Sequence, residues 1–471
     1  AVGAYCLDAN TTADENTAMG YAALGANTTG SGNTAFGART LLVSTTATNN
    51  TAVGYYPLTA NTTGDYNTAL GSQALFVNTT GGSNTAIGAL ALDANTTAAN
   101  NTAVGTSALG ANTTGTSNVA VGATALDANT TASYNTAVGY GSGGALTTGA
   151  SNTAIGFDAL TTSTTAASNT ALGSSALRLT TTGASNTGLG KSALEANTTG
   201  ASNVAVGVNA LVANTIGEKN VSIGQSALTT NVAGDNSVAV GFEALATQNP
   251  GGSSTDMYNT AVGHSAGAGV TTGDKDTFIG GLAGDAATEA TNSVCVGYGT
   301  DLSAVDGNQQ IVLGYTLVGY GDSSATVGVG SGSDRVYNEF TSNATWTRVS
   351  DSRYKKDIEP NNDCGLAFIN DLNPVTFKWK AKSDIDSDLP DYDETATKPD
   401  YEGKMYGLIA QEVKEVLDEH NITDFGGWSD GRESGIQGIS QGMFVYPLIK
   451  AIQEQQTLIE SLTARITTLE G

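Results

Sequence analysis

The sequence predicts a mostly β protein: a β-solenoid (β-roll or β-helix) shaft of 17-residue repeats, then a small α+β domain ending in a long coiled-coil helix. Three observations predict it. A glycine returns every 17 residues from Gly3 to Gly241 and again from Gly263 to Gly314. The repeats are rich in Gly, Asn and Thr and carry hardly a lysine. From about Ser350 onward the composition becomes mixed, and the last residues show a heptad pattern.

The repeat reads approximately N-T-A-V-G-x-x-A-L-x-x-N-T-T-G-x-x. A fixed short period over such a length means one supersecondary unit stacked on its neighbours. Helix is the wrong period, because Gly, Asn and Thr are poor helix formers and no 3.6-residue apolar stripe survives. Short strands broken by Gly and Asn corners fit, since these residues tolerate the left-handed backbone of tight turns. One coil per repeat at a strand spacing of ~4.8 Å gives a shaft of roughly 85 Å over residues 1–314. Around QNPGGSSTD the ruler is stretched by five residues, from Gly241 to Gly263.

Two asparagine columns run along this shaft. One lies four residues before each glycine, unbroken from Asn16 to Asn220. The other is looser: Asn10, Asn27, Asn61, Asn78, Asn95, Asn112 and Asn129. Stacked amides hydrogen-bond along the axis of cross-stacked strands, so the N-T-T triplets read as a ladder rather than as glycosylation acceptors. Adjacent apolar residues, such as Ala86-Ile87 and Ala103-Val104, point to opposite strand faces. A lone coil buries only one face, so the pattern predicts coils that are intertwined or bundled with other chains. These repeats resemble the head repeats of trimeric autotransporter adhesins and the similar repeats of phage tail fibres. The resemblance implies a trimeric shaft.

A Gly/Ser-rich transition occupies 315–349, and a domain is expected over 350–471. CGLAFINDL has a helical apolar pattern, PVTFKWK alternates as a strand, and MYGLIAQEVKEVLDEH reads as a strand running into a helix. Residues 443–470 read as an amphipathic coiled-coil helix. Leu448, Ile452, Gln455, Ile459, Leu462, Ile466 and Leu469 follow alternating 4-3 spacings with one polar layer, which predicts trimerisation through this seam.

The two parts meet at VSDSRYKKDI, residues 349–358. Alone, its Ser350 and Lys355 read as an ordinary turn. Together with GLAFINDLNPVTFKWK, YGLIAQEV and YPLIKAIQEQ, the segment resembles the intramolecular chaperone auto-processing domain that ends endosialidase tailspikes and many phage tail fibres. The resemblance implies a homotrimeric foldase that releases itself by cutting Val349-Ser350, with Ser350 as nucleophile, Lys355 as its base and Asp351 as an orienting residue. Elementary chemistry agrees: a serine hydroxyl needs a base, a desolvated lysine can serve, and five residues let a turn bring them together. Tyr354 stands where the family usually has Leu, and an acidic stretch is inserted before MYGLIA. The switch in composition then marks the boundary between product and disposable foldase.

The remaining signals bound the function. A net charge of -25 leaves no basic stripe for nucleic acid. Three well-separated cysteines suggest no disulfide framework and assembly in a reducing compartment. No apolar run approaches the ~20 residues of a membrane span, and no signal peptide is visible. The chain opens on AVG, the tail of a repeat, and reads as a fragment. Only His264 and His420 exist, so a Ser-His-Asp triad or a metal site has little support. DIDSDLPDYDE fails as a calcium loop, with Leu389 and Thr395 at the positions needing Gly and Glu. The expectation is a phage tail fibre or tailspike: a homotrimer without cofactor or metal, assembled in the host cytoplasm and bound in the virion to a host-surface glycan receptor. Any enzymatic activity is a single self-cleavage. The alternatives are a bacterial surface adhesin with the same terminal module and a glycan- or ice-binding solenoid.

Overall fold

The computed structural model describes residues 1–330, 334–341, 347–348, 352, 355–389, 392–399, 402–430 and 436–470. The chain divides into two compact units, Ala1–Tyr354 and Lys355–Gly471.

The first unit is a parallel β-solenoid of about 18 turns. In each coil the three residues before the ruler glycine form a strand, from Thr17–Met19 to Val294–Val296. Every such strand pairs in parallel with the one a repeat further on; Thr85, Ala86 and Ile87 face Thr102, Ala103 and Val104. Both ladder partners belong to the same chain.

Within each strand the central residue, most often Ala, is inward and buried, while the residue beside the glycine lies outward. Met19, Phe36 and Leu70 keep between 43% and 45% of their surface exposed. The core is completed by a leucine four residues after each glycine, such as Leu92 and Leu109, fully buried at φ 52° and 53°. A left-handed leucine costs about 1 kcal/mol or more. Burying its side chain stabilises by about 1.5–3 kcal/mol, so the core decides the backbone. The ruler glycine has no such freedom. Gly54 sits at φ +136°, and a Cβ there would lie 2.6 Å from the carbonyl oxygen of Gly71.

Where the leucine is missing, another side chain fills the space. At Gly143 the cavity is taken by Leu126 and Leu146, whose methyl carbons would lie 2.9 and 3.1 Å from an added Cβ. At Gly267 the ring of Phe278 would be 2.8 Å from an added Cβ, and it also fills against Gly284. Phe278 stands in the inward position that alanine holds elsewhere, so one large ring replaces two leucines.

Both asparagine columns are hydrogen-bonded ladders. In the first, Asn84 Oδ1 accepts from the Asn101 backbone N–H at 3.0 Å, and Asn84 Nδ2 donates to the Ala98 carbonyl at 2.9 Å. In the second, Asn95 Nδ2 donates to Asn78 Oδ1 at 2.8 Å, and Asn112 Nδ2 to Asn95 Oδ1 at 3.1 Å. The second ladder breaks where the sequence departs. Ser44 follows Asn27 and Leu146 follows Asn129, and Asn27 Oδ1 and Asn129 Oδ1 are left buried without a donor among the described residues.

The five-residue insertion is absorbed at the rim. Gly234–Asp235 pairs with Thr255–Asp256, and the main ladder continues from Val238–Val240 to Thr260–Val262. Gln248 bridges both columns here: Nε2 donates to Asn231 Oδ1 and Ser237 Oγ, while Oε1 accepts from Asn259 Nδ2 at 2.9 Å. Parallel pairing extends past Gly314, with Gln310–Tyr315 on Ser324–Val329. It then turns antiparallel through Arg335–Glu339 and Thr347–Arg348.

The second unit is small and mixed. Helices α1 (Leu366–Asp371), α2 (Ala410–Glu419) and α3 (Val445–Glu470) accompany two antiparallel pairs, Val375–Phe377 with Met405–Gly407 and Trp428–Ser429 with Gly438–Ile439. Its core gathers Cys364, Phe368, Val413, Leu417, Ile422 and Phe444. Phe425 stands edge-on to Phe368 and Phe444, at centroid distances of 5.7 and 5.1 Å. Among the described residues no helix is long and apolar enough to cross a membrane.

Candidate functional site

Of the site expected from the sequence, only Lys355 falls among the described residues. Val349, Ser350 and Asp351 lie outside the described residues, so the structure does not place them beside Lys355. Lys355 opens the second unit, and residues 355–362 are exposed throughout. The chain then enters the fold at Asn361, whose Oδ1 accepts from the Cys364 N–H at 3.1 Å while its Nδ2 donates to the Cys364 carbonyl at the same distance. Burial of Cys364 pushes its thiol pKa up, which keeps it a neutral apolar group.

α3 is the other candidate element. Its first turns pack on the unit through Pro447 and Ala451. Glu454 then reaches back to α1, where its Oε2 accepts the Leu366 N–H at 2.7 Å. That bond, helped by Lys450 at 3.5 Å, holds the Glu454 carboxyl below its usual range. The carboxylate lies where a Cβ on Gly365 would be, so the contact needs a glycine there. Gly365 opens GLAFINDLNPVTFKWK and Glu454 lies in YPLIKAIQEQ, but nothing in the spacing of the two motifs joins residues 89 positions apart.

Beyond Glu454 every residue of α3 is exposed. Ile452 is 63% and Leu469 84% exposed, and Ile459, Leu462 and Ile466 are more than half exposed. The heptad seam is thus bare within the described residues. Leu448, its first member, also lines an apolar cavity of about 420 Å³ with Ile369, Leu372, Val375, Leu408 and Phe444. An amphipathic helix with an uncovered 4-3 stripe can bury it against copies of itself.

Residues 350–422 match the family model described as the chaperone of endosialidase. The chain carries such a chaperone domain. The match begins at Ser350, takes in Lys355, and spans α1, the first strand pair and α2. Comparison with curated proteins finds no match. A chaperone-of-endosialidase domain after a solenoid shaft fits a fibre of the endosialidase-tailspike type. The second unit thus presents an exposed segment from Lys355 and a helix whose apolar seam is bare among the described residues.

Proposed function

We propose that the chain is a phage tail-fibre subunit, a homotrimer that attaches the virion to a host-surface receptor. Its chaperone domain templates the trimer in the host cytoplasm and then cuts itself away at Val349-Ser350. The observation that carries this reading is the match from Ser350 together with the bare seam of α3.

In the cleavage step the Ser350 Oγ attacks the Val349 carbonyl carbon while Lys355 takes the hydroxyl proton. The C–N bond breaks, the proton passes to the leaving Ser350 nitrogen, and an ester remains on Oγ. Water hydrolyses that ester, giving the Val349 carboxylate and regenerating the hydroxyl. The chemistry is one turnover within one chain.

Intact-protein mass spectrometry tests it. The full chain should give products of 349 and 122 residues. Ser350→Ala and Lys355→Ala should each remain uncut, and a Ser350→Ala chain that still splits at that bond refutes the assignment.

A further inference from the structure

One member of the first column differs in kind from the others. Past Asn220 the column continues as Ser237, Asn259, Asp276 and Ser293. Asn259 shows the standard pattern: Oδ1 accepts the Asp276 N–H at 2.9 Å, and Nδ2 donates to the carbonyl of Gly273, 14 residues on, at 2.7 Å. Asp276 occupies the same place, with Oδ1 accepting the Ser293 N–H at 2.8 Å. Its Oδ2 therefore stands where the ladder has an amide nitrogen, toward the Ala290 carbonyl. A Cβ on Gly273 would meet both that carbonyl oxygen and Asp276 Oδ2, the latter at 3.2 Å. The Asp276 side chain is fully buried, and Oδ2 has no donor among the described residues.

Two acceptors facing each other in a dry core repel, and an ionised carboxylate there is costly. One proton removes both problems. We infer that Asp276 is a neutral carboxylic acid in the folded shaft, donating Oδ2–H to the Ala290 carbonyl, and that its ionisation loosens the adjoining coils. Asp276 is thus a proton-controlled weak point in an otherwise uncharged ladder.

The surrounding groups agree. On its own coil are Asp274 and Lys275, paired with each other at the surface, with Asp256 and Tyr258 near the lysine. On the next coil Cys295 is buried, and burial drives its thiol pKa far up. Beyond it Asp301 is raised to about 6 by burial and by Asp285. The preceding coil offers the neutral Asn259. Burial raises Asp276 to about 7; Asp274 adds to this, while the Ser293 N–H and Lys275 oppose it. A folded pKa above the unfolded one means the native coil keeps a proton that the unfolded chain releases. The contribution of Asp276 to stability is therefore full below about pH 4 and is lost as pH rises to about 7, the reverse of a salt-bridged carboxylate.

Hydrogen exchange of the full chain, corrected for intrinsic rates and read by mass spectrometry between pH 5 and pH 8, tests this. Protection over 277–310 should fall about tenfold or more across the range, while the coils at 85–122 stay constant. Asp276→Asn, which installs the ladder's usual residue, should abolish the fall and hold the acid-side protection at pH 8. Constant protection in the parent, or an undiminished fall in Asp276→Asn, overturns the inference. So does a fall removed only by Asp301→Asn.

Discussion

Ser44 interrupts a ladder that its neighbours are built to continue. Asn27 Oδ1 is buried and lacks the amide donor that the preceding pattern supplies, and Ser44 Oγ is itself buried without a partner among the described residues. Ser44→Asn should reconnect Asn27 to Asn61 and stabilise those coils by about 1 kcal/mol, the net worth of a typical hydrogen bond. Local hydrogen exchange over residues 27–61 measures it, and unchanged or lower protection contradicts the ladder account. Gly54→Ala should act in the opposite direction. The φ of +136° and the Gly71 carbonyl leave its Cβ no room, so a loss of at least ~2 kcal/mol is expected from the shaft melt. These columns were legible because a one-residue rule repeats at constant spacing. Gln248 and Phe278 were not, since each answers a local departure: a stretched coil in one case, two missing leucines in the other.

At the scale of the element, the three-residue strands and the three helices follow from pattern, with boundaries set by Gly and Asn in the shaft and by apolar spacing in the chaperone domain. PVTFKWK shows the limit. It alternates throughout, yet only Val375–Phe377 pairs, because its partner Met405–Gly407 is equally short. The Ala-Val doublet was read correctly as two-faced, but spacing alone could not say which residue faces inward. The structure assigns Ala103 to the core and leaves Val104 half-buried. Ala103→Asp should therefore collapse the central coils in any assembly, since a buried unpaired carboxylate costs several kcal/mol. Val104→Asp separates the cases: a lone solenoid tolerates it, whereas a bundled shaft loses several kcal/mol and its oligomeric mass. In α3, Ile459→Asp with Leu462→Asp should leave the fold around Phe368 intact and abolish association of the uncut Ser350→Ala chain, as read by light scattering.

For the whole molecule, a long parallel stack exposes unpaired strand ends and apolar faces while it assembles, which is the physical need a terminal foldase would meet. The division of labour was legible from composition, because a low-charge repeat and a mixed α+β sequence abut at one segment. The chaperone-domain match was legible only through several motifs taken together, as a Ser and a Lys five residues apart say little alone. The most direct measurement is the sedimentation mass of the shaft made in two ways. Released from the full chain after folding, it should be a stable, soluble trimer that outlives the loss of residues 350–471. Expressed from a gene that lacks those residues, it should be insoluble or monomeric. Soluble, fully assembled shafts from the truncated gene would contradict the account.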